Sequence, residues 1–132
     1  MPEQEIDLEA LAGVLTGPRA RMVRFGAEAH EVGPEGFGKV AEMIGAGHLG
    51  LRIDPAIPRG AVYDPVSGEI VLADALVFAD LPGAAALIGA AAEAALHMAE
   101  VNDAATRRVA GRMAETFYHI ASGGPLGARR RN

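Results

Sequence analysis

Residues 82–101 read PGAAALIGAAAEAALHMAEV. The run is almost wholly apolar, and its only charged or polar side chains are Glu93, His97 and Glu100. A segment of this composition opened by a proline predicts a helix buried on most sides, because Pro fits a first helical turn where its missing N–H costs nothing. At about 3.6 residues per turn, Glu93, His97 and Glu100 fall on one stripe of that helix. The stripe admits two readings: a carboxylate and imidazole site for a metal or for acid/base work, or the one face of the helix that meets water.

Working outward toward the N-terminus, Ile6, Leu8, Leu11, Val14 and Leu15 recur at helical spacing, with Asp7 and Glu9 at the start and Gly17-Pro18 at the end. Pro18 then opens a predicted second helix that carries Met22, Val23 and Phe25 and stops near Gly33-Pro34. Its Arg19, Arg21 and Arg24 are expected on a solvated face. Phe37, Val40, Met43 and Ile44 predict a third short helix, interrupted at Gly45 and Gly47. Beyond the glycines the period changes: Leu49, Leu51 and Ile53 alternate with Gly50 and Arg52, as in a half-buried strand. Residues 61–63 and 69–72 are two further strands. The Asp64-Pro65-Val66-Ser67-Gly68 turn between them predicts a β-hairpin, since Pro presets one dihedral and Gly accepts a positive φ.

Residues 73–80 link the hairpin to the apolar helix, with Leu76, Val77 and Phe78 expected against the core and Asp80 as cap. Past Val101, Asn102-Asp103 either caps a separate final helix over 104–121 or lies within one bent, continuous helix. Val109, Met113, Phe117 and Ile120 form the apolar stripe of this segment, and Arg108, Arg112, Glu115 and His119 a polar one. The resulting order is α+β: N-terminal short helices, a small antiparallel sheet with a β-hairpin, then two C-terminal helices. A chain of 132 residues suits one domain. We place it at 1–122, followed by a flexible Gly/Pro/Arg-rich tail at 123–132 that ends in Arg129, Arg130 and Arg131.

Composition narrows the function classes. Twelve Lys and Arg against seventeen Asp and Glu, a net charge of -5, argue against a nucleic-acid footprint, which needs a basic face. No cysteine is present, so thiolate chemistry and disulfides are excluded, in keeping with a reducing compartment. The opening MPEQEIDLEALAGVL lacks the layout of a secretory signal, and the uncharged run 81–92 is shorter than the ~20 residues of a membrane span. The expectation is a cytoplasmic protein with no membrane partner. The glycine-rich stretches 33–38 and 45–50 match neither a phosphate loop nor a dinucleotide fingerprint.

Glu93 and His97 are four apart, as are Glu115 and His119. Were the last two helices antiparallel, each pair would offer an oxygen and a nitrogen to one ion, with Glu100 as a further carboxylate. On this alternative the chain is a metal-binding protein, or a metal-dependent hydrolase using zinc or another divalent metal. The bland reading is a set of solvated side chains in which Arg108 and Arg112 pair with Glu93 or Glu100.

A resemblance bears on the same residues. GFGKVAEMI at 36–44, a strand, GAVYDP at 60–65, GEIVL at 68–72 and then the long apolar helix resemble the small zincin metallopeptidase-like domains. That resemblance implies a hairpin at the edge of a substrate-binding sheet and a following helix with H-E-x-x-H, whose Glu is general base and whose two His hold zinc. Laid on this chain, the family's Glu falls on Glu93, while Ala92 and Leu96 stand where the histidines belong. Neither side chain donates to a metal, and His97 is rotated by ~100° from the Leu96 slot. The resemblance therefore implies a degenerate relative: a non-catalytic protein-binding or assembly module with no cofactor. It would bind a protein partner through its hairpin edge, or form a homodimer through its small-residue helix. Tyr63, Phe78, Phe117 and Tyr118 are expected mainly in the core. A third reading has the basic segments contacting an acidic partner.

Overall fold

A computed structural model describes residues 6–17, 25–27 and 30–122. Four helices and five short strands follow in order: α1 (Leu8–Thr16), β1 (Phe25–Ala27), β2 (His30–Val32), α2 (Pro34–Gly45), β3 (Gly50–Ile53), β4 (Ala61–Asp64), β5 (Glu69–Leu72), a 3₁₀ turn (Val77–Ala79), α3 (Leu81–Met98) and α4 (Ala104–Ala121). The class is α+β. Arg19, Arg21, Arg24 and the 123–132 tail lie outside the described residues.

The apolar run becomes α3, and it is the centre of the molecule. Asp80 caps it by accepting a 2.8 Å hydrogen bond from the Gly83 N–H, and Pro82 sits in its first turn. Residues 83–92 are buried without exception, walled by α1, α2, β4, the 3₁₀ turn and α4. Its length and composition also suit a membrane span, but 67% of it is buried inside the fold, as in the core helix of a globular protein. Leu11, Leu15, Phe37, Val40, Ile70, Leu72, Leu87, Ile88 and Leu96 supply the largest fully buried side chains around it. Phe78, Tyr63 and Tyr118 are in the core as expected, Phe117 is partly buried, and Leu76 is instead exposed.

The hairpin forms with Ala61 opposite Leu72 and Asp64 opposite Glu69, closed by Gly68 at φ 70°. The sheet is mixed rather than antiparallel throughout. Its order is β3-β5-β4, with β3 parallel to β5. After β3 the chain crosses to the far side before β4 begins, and the hairpin returns β5 into the gap. The unbroken Ile70-Val71-Leu72 run, buried at all three positions, has the composition of a strand flanked on both edges. On the outer face Arg52 ties the three strands together, donating from Nε to Glu69 at 2.8 Å and from Nη2 to Asp64 at 3.4 Å.

One further difference from the sequence reading matters, and one open question closes. Phe25–Ala27 and His30–Val32 pair as an antiparallel ribbon where a second helix was expected. Gly26 weakens helix there, and pairing satisfies the backbone while the ribbon packs against α3 and α4. Of the two arrangements left open after Val101, the structure has the separate helices, with Asp103 capping α4, although neither Gly nor Pro lies between them. Glu100 takes the left-handed conformation at φ 69°, so its N–H reaches the His97 carbonyl at 2.9 Å and the Val101 N–H reaches that of Leu96 at 3.0 Å. This pair of bonds is a Schellman closure made without glycine.

Candidate functional site

α3 and α4 pack antiparallel, and their backbones meet at Gly89 and Gly111. A Cβ on Gly89 would lie 2.8 Å from the Gly111 carbonyl oxygen, and one on Gly111 would lie 2.9 Å from that of Gly89. Only glycine permits this approach. The Glu93 side chain lies across the same crossing, its Oε2 2.7 Å from where a Gly111 Cβ would stand.

Glu93 is the one carboxylate on the buried length of α3, and it is half-buried. Burial pushes its carboxyl above the ordinary value, while Arg59, Arg107, Arg108 and Arg112 pull in the opposite direction. Arg59, from the loop before β4, forms an ion pair with Glu115 on α4. Arg107 is only 6% exposed and donates from Nη1 to the Val101 carbonyl at 2.7 Å, closing the connection between the helices. Arg59 and Arg107 thus lie at the seam with Glu93 and Glu115, and the exposed Arg108 and Arg112 are near enough to act on Glu93, in a chain of net charge -5. Beside it opens a shallow cleft of about 380 Å³ lined by Arg59, Arg112, Glu115 and Thr116.

His97, one turn beyond Glu93, is engaged elsewhere. Its Nδ1 lies 2.7 Å from the Tyr63 hydroxyl of β4, with the two rings edge to face at a centroid distance of 5.7 Å. Burial raises the phenol above its ordinary value, with Arg107 opposing. The hydroxyl and Nδ1 share this hydrogen bond, and the imidazole tautomer sets which of them donates.

The other residues singled out from sequence are dispersed. Glu100 is the exposed left-handed cap. Glu115 is paired with Arg59. His119 is half-buried, and its Nδ1 is buried with no hydrogen-bond partner. The antiparallel arrangement that was to bring two Glu/His pairs onto one ion separates them. His97 and His119 each lie about two turns from the glycine crossing, ~12 Å in opposite directions along the helix pair. Among the described residues no three His, Asp or Glu side chains converge to hold a metal ion. Ala92 and Leu96 are each 1% exposed and face the core.

The largest correction concerns α4. The face turned to α3 consists of Arg107, Ala110, Gly111, Ala114 and Tyr118. Of the expected apolar stripe only Phe117 packs against the core; Val109, Met113 and Ile120 point away and are 55%, 36% and 49% exposed. Close approach at the glycines leaves room only for Ala110 and Ala114 beside Gly111, while the larger Arg107 and Tyr118 lie toward either end of the contact. Sequence reasoning missed Arg59 and Arg107. Their signal is only topological, since Arg59 precedes the edge strand β4, and Arg107 lies one turn before Gly111 on the same inward face.

No known protein family, curated protein or solved structure matches this chain.

Proposed function

We propose that the chain is a non-catalytic, zincin-like protein-binding module whose contact surface is the outward face of α4. The observation that carries this reading is the line of exposed Val109, Met113 and Ile120 along that helix. Exposed apolar side chains in register on a helix are a recurring basis of partner recognition. The order of helix, strand, hairpin, buried helix and second helix supports the zincin-like part. The non-catalytic part rests on Ala92 and Leu96, which are apolar and buried where zinc ligands belong.

Two measurements test it. Protein purified without chelator should carry no stoichiometric zinc, iron or manganese; one equivalent per chain, lost on His97→Ala, overturns the non-catalytic assignment. A photo-crosslinking amino acid at position 113 should give a discrete adduct in the cells that make the protein, absent when the same group is at the exposed hairpin position 66. No adduct at 113, or equal adducts at both, overturns the assigned surface.

A further inference from the structure

We infer that the partner segment received by α4 is acidic and amphipathic, a helix whose apolar residues cover Val109, Met113 and Ile120 and whose carboxylates meet Arg108 and Arg112. The inference rests on the binding-module reading and adds the partner's chemistry. Two independent observations converge on it. The first is the apolar line, spaced four and seven residues apart and so continuous along one side of α4. The second is charge. Arg108 and Arg112 flank that line, are exposed, and make no ion pair within 4 Å among the described residues. Glu93 tempers them from below, but it is half-buried and already shared with Arg59 and Arg107. Glu115 is taken by Arg59. The outward face is therefore cationic on a chain that is anionic as a whole. Two copies joined through α4 would bring like-charged arginines together, whereas an acidic helix pairs with them. The cleft lined by Arg59, Arg112, Glu115 and Thr116 adjoins this face; Arg59 and Glu115 pair with each other there, which leaves Arg112 as its unpaired guanidinium among the described residues.

The test uses the full chain and three fluorescent peptides of about four helical turns each. One has leucines along one face flanked by glutamates, one has lysines in place of the glutamates, and one has serines in place of the leucines. Fluorescence anisotropy should show the glutamate peptide binding about tenfold more tightly than either of the others, and more weakly as salt is raised. Arg108→Glu combined with Arg112→Glu should reverse the preference toward the lysine peptide. Met113→Ser should weaken both. All three positions are exposed, and circular dichroism checks that the fold is kept. Equal binding of the acidic and basic peptides, abolished by Met113→Glu, overturns the charge assignment and leaves the docking face standing. A dimer in sedimentation that Met113→Glu dissociates overturns it in favour of a second copy. No binding of any peptide, together with no crosslink from position 113, removes both this inference and the reading beneath it.

Discussion

Glu93 is held above its ordinary carboxyl value of 4.5 because burial in the seam between two helices outweighs the opposing pull of Arg59, Arg107, Arg108 and Arg112. The folded chain binds that proton more tightly than the unfolded chain does. The associated stability is present below about pH 4.5 and is lost as pH rises through the raised folded value. Glu93→Gln has no such titration, so urea unfolding should find it more stable than the parent near about pH 7 and equal to it near about pH 4. A constant difference across that window would mean that the carboxyl is not raised. Glu100 offers a second single-residue test. A non-glycine residue in the left-handed region costs roughly 1 kcal/mol, so Glu100→Gly should stabilise the chain by about 0.5–1 kcal/mol in the same measurement. No loss of stability should accompany removal of its carboxylate, since Glu100 serves the helix end through its backbone.

Among the elements, α4 separates composition from position most clearly. Val109, Met113 and Ile120 face out while Ala110, Gly111 and Ala114 face in, so the usual expectation for a helix is inverted along most of its length, Tyr118 and the partly buried Phe117 excepted. Met113→Glu should change stability by no more than about 0.5 kcal/mol, whereas Ala114→Glu buries a carboxylate and should cost on the order of 3 kcal/mol. Chemical denaturation of the two variants checks both values, and the reverse ranking would overturn the placement of the helix. Periodicity located α4 to the residue but oriented it wrongly. A stripe of Val, Met, Phe and Ile reads as the inward face unless the facing helix demands small residues, and Gly89 makes that demand from more than twenty positions away. The start of α4 was legible from Asp103 as its cap, but the sequence left a continuous helix open, because the end of α3 depends on backbone bonds that a glutamate completes where glycine is usual. The hairpin and its turn, by contrast, were fully legible, since their signals are local.

For the whole molecule, α3 touches every layer: α1 and α2 on one side, the sheet and 3₁₀ turn on another, α4 on a third. Removing any neighbour exposes part of the same core, so the described fold should unfold as one unit. Tyrosine fluorescence, which reports Tyr63 and Tyr118 in two different contacts of α3, and far-ultraviolet circular dichroism should give coincident urea transitions. Separated transitions would show that the sheet and the helix pair are independent.

The amino-acid pattern was sufficient for the α+β class, for the identity of the central helix and for the hairpin, because each depends on burial period, capping and turn chemistry within a few residues. It also placed Glu93 on a helix with apolar neighbours at 92 and 96. The pairing of β3 with β5, the ribbon at 25–32, the outward apolar face of α4 and the gathering of Arg59 and Arg107 around Glu93 depend on which elements meet. Those outcomes follow from close approach at two glycines and from a strand inserted between two others, contacts between distant parts of the chain that no local window contains.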